Sequence, residues 1–325
     1  MSLSYLLART LPAHELSNTE QGKGCLAYDP LLDPGYGYIP NLAVGIVFAV
    51  IFGLITIAHI GQTTIKRKWW YSTFAIGAIG ECVGWAARAA AHKCVYNDSI
   101  FSLQISILII SPCFTSAGIY YILSQLLQHW RQQGYTHYSP IGPRLYLIIF
   151  ISFDLLSIII QGVGGGLASS ANSDNKSTAP GTHIMIAGII IQLVSMSVFC
   201  FLWLWTVFRA RAHLRTPSMS GDKLDGARLR LLVAVTCFSA TCIVVRNFYR
   251  AVELGQGWKG YLITHEIYFC LLDGMLMALS LLAFNIVHPA WFVDPSRHNP
   301  ERDLETKRPS DSSLDPGVML GDARA

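Results

Sequence analysis

Apolar residues recur in seven long stretches that are separated by short polar connectors. The stretches cover about residues 42–62, 69–91, 101–127, 145–168, 183–208, 229–250 and 261–287. Each is close to the 20 residues that an α-helix needs to cross a bilayer, and none shows the alternation typical of a strand. The pattern predicts an all-α, polytopic integral membrane protein, a bundle of seven transmembrane helices. We expect three regions: an outer N-terminal tail (1–40), a transmembrane domain (41–292) and a disordered cytoplasmic tail (293–325).

Composition supports a membrane protein. Of the 325 residues, 52% are hydrophobic and only 14% are charged, whereas about 25% of the residues in a soluble domain are charged. A soluble fold this poor in charge could not cover its surface with polar groups. Disordered chains are excluded, and a soluble enzyme is disfavoured.

The distribution of cations predicts the orientation. The first, third and fifth connectors carry eleven Lys and Arg residues, whereas the second, fourth and sixth carry three. Because cytoplasmic loops are enriched in Lys and Arg, the odd-numbered connectors are predicted to be cytoplasmic. The N-terminus is then outside and the C-terminus is cytoplasmic.

Sequons and cysteines agree with this topology. Both N-x-S/T sequons, at Asn97 and Asn175, fall on connectors predicted to be outside, where N-glycosylation takes place. Of the eight cysteines, only Cys25 and Cys94 lie on the oxidising side. We expect either a Cys25–Cys94 disulfide that ties the tail over the outer mouth, or two free thiols.

Ionisable and polar residues inside the spans are the candidate functional groups, because charge is costly in a bilayer. Glu81 and Arg88, Asp154 and Gln161, and Glu266 and Asp273 are each seven residues apart, so each pair shares a helix face. We expect a polar cavity that opens outward, with three carboxylates at its floor and arginines around it. The candidates are Glu81, Arg88, Asp154, Gln161, Arg246, Arg250, Glu253, His265, Glu266 and Asp273.

Two structural alternatives remain open. The arginines could instead fix helix packing, in the pairs Arg88–Glu81, Arg246–Glu266 and Arg250–Glu253. The glycine run 162–166 in the fourth span predicts a break in that helix, which could line a binding site. Its alternative is tight helix packing.

Motifs for other chemistries are missing from the sequence. There is no GxxxxGK[ST] for ATP and no HExxH for zinc. We therefore predict no metal, no cofactor and no enzymatic activity. Insertion topology accounts for the basic residues, so nucleic-acid binding is not indicated.

A series of short motifs runs through the spans in a fixed order. They are Tyr38-Ile-Pro40-Asn41 followed by His59; Gly80-Glu81-x2-Gly84-x3-Arg88; Ser111-Pro112 with Tyr120-Tyr121; Asp154-x6-Gln161-Gly162-x-Gly164-Gly165-Gly166; Gly188-x3-Gln192; Arg246-x2-Tyr249-Arg250-x2-Glu253; His265-Glu266-x-Tyr268-x4-Asp273; and His288-Pro289. In this order the chain, over about residues 36–292, resembles the fungal lipid-translocating exporter family. These are seven-span proteins first associated with resistance to aminocholesterol.

The resemblance implies a translocator of membrane lipids or amphiphiles (sphingoid bases, sterol-like molecules or phospholipids) that confers resistance to toxic amphiphiles. It also implies a multi-pass protein of the plasma membrane, with the vacuolar or ER membrane as alternatives. A porphyrin or haem transporter is a further possibility within the family. The rival from another class is a seven-helix receptor or regulator that senses an amphiphile. Against it, the chain has no Asp-Arg-Tyr after the third span.

Overall fold

Long helices account for most of the chain in the computed structural model, which describes residues 25–26, 28–32, 37–132, 142–174, 176–215, 223–257 and 260–291. Six of them come first: α1 (Leu42–Lys66), α2 (Ser72–Ala91), α3 (Asp98–Gln132), α4 (Pro143–Ser173), α5 (Ala179–Arg215) and α6 (Lys223–Gly255). The tail 293–325, the sequon residue Asn175 and most of the N-terminal tail 1–40 lie outside the described residues. Those described all belong to one unit of the chain, Met1–Val293.

The last long helix, α7, spans Glu266–Trp291 and is irregular. It begins as an α-helix at Glu266–Phe269, continues as a π-helix at Cys270–Met275 and returns to an α-helix at Leu276–Ile286. A one-turn helix, Tyr261–Thr264, precedes it. Insertions of π-helix are rare and often occur at functional sites. The π-helical segment contains Asp273, one of the residues selected from the sequence.

Within the described ranges, six helices are long and apolar enough to cross a membrane, namely α1 and α3 to α7. The chain is therefore a multi-span integral membrane protein, and its described residues contain helices but no strand. Helix α2 is the one predicted span that falls outside this set. Glu81, Arg88 and many small residues lower its hydropathy, but it has 20 residues and is about 30 Å long.

Local sequence explains where several helices begin. The Asn41 side chain accepts hydrogen bonds from the backbone N–H groups of Ala43 (2.9 Å) and Val44 and so caps α1. Asn97 caps α3 in the same way, because its side chain accepts the Ile100 N–H at 3.0 Å. At α4, Pro143 occupies the first turn, where its missing N–H costs nothing.

The helices pack in chain order, and α7 closes the bundle against α1. Helix α2 packs against both α1 and α3, and its small residues make close approach possible. A Cβ atom on Gly80 would meet the Ser111 side chain at 2.1 Å, and one on Gly84 would meet Leu108 at 2.4 Å. The GxxxG pair of α2 is thus a contact surface for α3.

The glycine run of α4 does not break the helix, so that prediction is wrong and its alternative, tight packing, is correct. Helix α4 is continuous from Pro143 to Ser173. A Cβ atom on Gly164 would lie 2.4 Å from the Met185 nitrogen, and one on Gly181 would lie 2.4 Å from the Ala168 nitrogen. The glycines therefore let the backbones of α4 and α5 touch. The irregular helix is α7 instead.

Large apolar side chains cover the outside of the bundle. On α1 they include Val47, Leu54 and Ile57, which are 55–69% exposed, and on α4 they include Ile148 and Leu155. In water an apolar surface of this extent would drive aggregation. In a bilayer the same surface faces lipid chains.

The close contact between α4 and α5 predicts a position-specific effect of adding one methyl group. Gly164→Ala should lower the free energy of unfolding by about 1–3 kcal/mol, because the two backbones must separate to accommodate the Cβ atom. Gly166→Ala is the matched control, since no atom lies within 4 Å of its Cβ position. Thermal unfolding of the purified variants in detergent measures both. Equal melting temperatures for the two variants would contradict the packing described here.

Candidate functional site

The centre of the bundle holds a carboxylate that two arginines share. Asp273 Oδ1 lies 2.8 Å from Nε of Arg246 and 2.9 Å from Nε of Arg250, and its Oδ2 lies 2.9 Å from a second Arg250 nitrogen. Arg250 also donates to Glu253 at 2.9 Å, and Glu253 accepts the Tyr249 hydroxyl at 2.8 Å. We call Asp273, Arg246, Arg250, Glu253 and Tyr249 the central cluster.

Helix geometry brings these groups together. Arg246 and Arg250 are four residues apart on α6, as are Tyr249 and Glu253, so both pairs have neighbouring side chains. Asp273 approaches them from the π-helical segment of α7. All five side chains are buried. The charges therefore satisfy one another inside the bundle rather than through water.

A proline on α3 supplies a further partner to this cluster. Pro112 has no N–H and cannot donate to the carbonyl four residues earlier, at Leu108. The Arg246 guanidinium donates to that carbonyl. The proline therefore provides a backbone acceptor in mid-helix, and the arginine satisfies it where no water could.

Glu81, on α2, lies next to the central cluster but is not bound by it. Its side chain is completely buried, the Trp85 side chain is its neutral hydrogen-bonding neighbour, and no cation among the described residues forms an ion pair with it. Arg246, Arg250 and Asp273 are its charged neighbours. With Glu81 ionised, the group of Glu81, Asp273, Glu253 and the two arginines has one excess negative charge. With Glu81 protonated, the group is neutral.

A second ion pair lies towards the N-terminal end of α1. Arg88 donates to Glu266 at 2.8 Å and also to the Tyr38 hydroxyl. Glu266 in turn accepts the Asn41 N–H at 3.0 Å, which joins α7 to the start of α1. Burial raises the pKa of Tyr38 even though Arg88 lies beside it. The hydroxyl therefore stays protonated at neutral pH.

One aromatic ring connects the two ion-pair groups. The guanidinium carbons of Arg88 and Arg250 lie 4.4 and 4.7 Å from the Phe269 ring centroid. Both distances are within the range of cation–π contacts, which strengthen in a desolvated setting. Phe269 stands four residues before Asp273 on α7, so a movement of this helix segment would disturb both groups.

Next to Glu266 an open groove of about 650 Å³ runs along the start of α1. Its walls are mostly apolar, with Ile39, Leu42 and Ile46 among the lining residues. The Glu266 side chain is 22% exposed, whereas Arg88 and the central cluster are closed off. A carboxylate beside apolar walls suits a molecule with a cationic head and a hydrocarbon tail.

Asp154 belongs to a separate polar group between α3, α4 and α5. It is 4% exposed, the Tyr120 side chain is its neutral hydrogen-bonding neighbour, and no cation in the described part of the chain forms an ion pair with it. Two turns along α4, Gln161 donates to Ser157 at 2.5 Å and to Gln192 at 3.1 Å. Cys113 of α3 accepts a hydrogen bond from Gln192 at 3.1 Å, and both Asp154 and Arg246 are near it.

The three arginines form ion pairs, but two of the three pairs differ from those expected from the sequence under the alternative in which the arginines fix helix packing. Arg250 pairs with Glu253 as that alternative has it, but Arg88 binds Glu266 rather than Glu81, and Arg246 binds Asp273 rather than Glu266. Arg88, Arg246, Arg250, Glu253 and Asp273 are at most 3% exposed. In this conformation the expected polar cavity is closed at these groups.

His265 is the candidate residue that lies apart from the buried charged groups. It is exposed at the start of α7, where Nδ1 lies 2.8 Å from the Tyr261 carbonyl oxygen and the two rings are 4.0 Å apart. Tyr38, Tyr249 and Phe269, in contrast, contact the charged groups but were not selected. For Tyr249 the sequence did contain a signal, because it lies four residues before Glu253. Among the described residues, no three His, Cys, Asp or Glu side chains converge to hold a metal ion.

The described part of the N-terminal tail is held against the connector after α2. Cys25 and Cys94 form a disulfide, with Cα atoms 4.2 Å apart. The Tyr96 hydroxyl donates to the Asp29 carbonyl at 2.9 Å and accepts the Asp29 N–H at 3.1 Å. Asn97 uses its side chain as a helix cap.

Comparison with known proteins shows the family. Residues 74–296 match the family described as "RTA1 like protein", which covers most of the membrane-spanning region. The chain belongs to the RTA1-like family. The resemblance to fungal lipid-translocating exporters is thereby confirmed, and the matched region contains nearly all of the candidate residues. No solved structure matches the chain.

Three relatives from Saccharomyces cerevisiae illustrate the range of the family. The sphingoid long-chain base transporter RSB1 is 32% identical over 283 residues, which cover 78% of this chain and 73% of the relative. Protein RTA1 is 26% identical over 280 residues, or 78% of this chain and 84% of the relative. Protoporphyrin uptake protein 1 is 26% identical over 287 residues, with 77% and 90% covered.

The shared carboxylate predicts a large loss of stability when it is neutralised. Asp273→Asn would remove the carboxylate that Arg246 and Arg250 share, and breaking a buried ion pair by removing one partner typically costs about 3–5 kcal/mol. Asp174→Asn is the control, because the Asp174–Lys176 pair is 61–73% exposed and should contribute little. Thermal unfolding in detergent compares them. A melting temperature of the Asp273 variant equal to that of the control would contradict the central role of this ion pair.

Proposed function

We propose that this protein translocates cationic amphiphiles, with sphingoid long-chain bases as the first candidates, across the membrane in which it lies. The observation that carries the proposal is the state of the buried carboxylates. Glu81 and Asp154 have only neutral hydrogen-bonding neighbours among the described residues and no paired cation, whereas Arg88, Arg246 and Arg250 are all paired with carboxylates. A buried carboxylate needs a proton or a cation, and a sphingoid base supplies a primary ammonium.

This charge arrangement favours an amine over a phosphate. To bind a phosphate, Arg246 or Arg250 would have to leave Asp273, which would expose a buried negative charge to the incoming anion. An ammonium beside Glu81 would instead neutralise the one excess charge of that group. The relative named as a sphingoid long-chain base transporter supports the same substrate class.

Porphyrin uptake, suggested by the name of another relative, fits the charges less well. Porphyrin side-chain carboxylates are anions, and the unpaired buried groups of this chain are also anions. We also propose that the protein acts by transport rather than by catalysis, as the names of its relatives suggest. The plasma membrane is the proposed location.

For topology we propose seven spans, with α2 crossing the membrane, the N-terminus outside and the C-terminus cytoplasmic. The packing of α2 between α1 and α3 supports this arrangement, and the apolar residues Ile76, Ile79 and Val83 on its exposed face suit contact with lipid. The disulfide between Cys25 and Cys94 fits an oxidising outer side. On this topology the tail 1–40 lies outside, 41–292 forms the transmembrane domain and 293–325 is cytoplasmic.

The proposed topology predicts that the two ends of α2 face opposite sides of the membrane. In intact cells a membrane-impermeant maleimide should label a cysteine placed at the exposed residue Lys93 but not one placed at the exposed residue Arg67. The unsubstituted chain gives the background from native thiols, and permeabilised cells should label both positions. Labelling of both or of neither in intact cells would mean that α2 does not cross.

The proposed function predicts loss of flux when Glu81 loses its charge. In vesicles containing only the purified protein, Glu81→Gln should slow the movement of a labelled sphingoid base by about tenfold or more, the equivalent of one ion pair of ~1.4 kcal/mol. Asp154→Asn should also slow it. Movement is measured as label protected from extraction by albumin.

Two controls make this experiment specific. Asp174→Asn removes an exposed charge and should leave flux unchanged. An N-acetylated sphingoid base has no cation, so the unsubstituted protein should move it poorly. Protein-dependent movement of the acetylated base at the rate of the free base would reject recognition of the amine. No protein-dependent flux of any tested lipid would reject the transporter and favour a receptor or regulator.

A further inference from the structure

Two buried histidines face each other at the opposite end of the bundle from Glu266, where α1 and α7 finish. His59 of α1 and His288 of α7 are 0% and 1% exposed, and their ring centroids are 6.0 Å apart. The transport site described above uses neither. Burial of two imidazoles in a membrane domain costs free energy, because each brings polar nitrogens into an apolar setting. Ionisable residues kept at such a position are therefore candidates for a function.

Hydrogen bonds fix which ring nitrogen carries the proton in each neutral imidazole. His59 Nε2 lies 3.2 Å from the Leu281 carbonyl, which can only accept, so Nε2 carries the hydrogen and Nδ1 is an acceptor. His288 Nδ1 lies 3.3 Å from the Ala290 N–H and accepts it, so the hydrogen of His288 is on Nε2. The two remaining nitrogens are therefore a donor and an acceptor.

Both of these remaining nitrogens, His59 Nδ1 and His288 Nε2, have no partner among the described residues. The Thr63 hydroxyl, one turn after His59 on α1, is 3% exposed and is also without a partner there. This group of atoms offers donors and acceptors but no charge. It suits a water molecule or a proton better than an anion or an apolar ligand.

Other titratable groups near this pair do not supply a counter-charge. Tyr71, from the 3₁₀ turn before α2, contacts His288 edge-on at 5.5 Å, and Tyr121 of α3 contacts Tyr71 at 5.5 Å. The Lys66 ammonium lies 3.5 Å above the Trp291 ring. No carboxylate contacts either imidazole in the described ranges. Two imidazolium ions this close would repel strongly in a low dielectric, so the pair can hold one proton between its two rings.

We propose that His59 and His288 form a proton-binding site at this end of the bundle and take up a single proton. The proton comes from a hydronium ion, which leaves as neutral water, and it forms an N–H bond at the acceptor nitrogen His59 Nδ1. His288 stays neutral and keeps its hydrogen on Nε2. The proposal extends the proposed transport function, because it names the ion whose movement would be coupled to the carboxylate Glu81.

An aromatic layer separates the histidine pair from Glu81. Phe74 of α2 is seven residues before Glu81, and its ring lies 5.6 Å from the His59 ring and 4.6 Å from that of Phe284. On α3, a Cβ atom on Gly118 would come within 2.6 Å of the Phe74 ring. In this closed conformation a proton at the histidine pair is insulated from the central cluster. Its transfer would therefore require movement of Phe74 or Phe284.

The first test needs no transport activity. The protein, with ¹⁵N-labelled histidine rings in lipid vesicles, is titrated by solid-state NMR, and His59→Gln and His288→Gln assign the two residues. We expect both neutral rings to carry hydrogen on Nε2, and we expect removal of either to shift the titration midpoint of the other by about 0.5 pH units or more. His183→Gln, at an exposed residue of α5, should shift neither midpoint. Independent midpoints in the two variants would overturn the proposal.

The second test measures the coupling itself. In vesicles with a pH difference, flux of the sphingoid base should respond to pH on the side where α1 and α7 end. This response should be lost in His59→Gln and His288→Gln and kept in the control His183→Gln. A pH response that persists in both variants would overturn the role in transport. If the unsubstituted protein carries no flux, the proposed function fails, and the NMR titration alone decides the histidine site.

Discussion

The pairing of Asp273 with Arg246 and Arg250 is the constraint on which the rest of this bundle depends. In a bilayer a charged side chain has no water to solvate it, so each one must meet an opposite charge or a dipole inside the protein. Asp273 reaches both arginines from a π-helical segment, and Arg246 also binds the carbonyl that Pro112 leaves without a donor. Two departures from regular helix geometry, in α7 and α3, thus serve the same charged group.

The sequence predicts which residues belong to this charged group but not which carboxylate each arginine binds. Hydrophobic runs and seven-residue spacing bring Glu81, Arg88 and Asp273 into the interior, as the structure shows. Which carboxylate an arginine meets depends on the rotation and depth of each helix to within one turn, and Arg88 accordingly binds Glu266 rather than Glu81. Sequence periodicity does not resolve differences of that size.

The glycine run of α4 shows the same limit of prediction from sequence. The run 162–166 predicted an irregular α4, but Gly164 lets two regular helices touch, and the irregular segment is in α7. Helix propensity in water treats glycine as a breaker. In a membrane the backbone must stay hydrogen-bonded, so close packing is the more favourable use of glycine. The π-helical segment brings Asp273 to the two arginines, a tertiary contact that sequence periodicity does not predict.

Once the arginines are paired, the charges that remain limit what the protein can bind. Glu81 and Asp154 are left without a paired cation in the described chain, and they lie in two different helix groups. A cation could move from one of these carboxylates to the other while every arginine stays paired with its own carboxylate. An anion would need the ion pairs at Asp273 to open, and these hold α6 to α7. This difference is the physical basis for proposing a cationic rather than an anionic substrate.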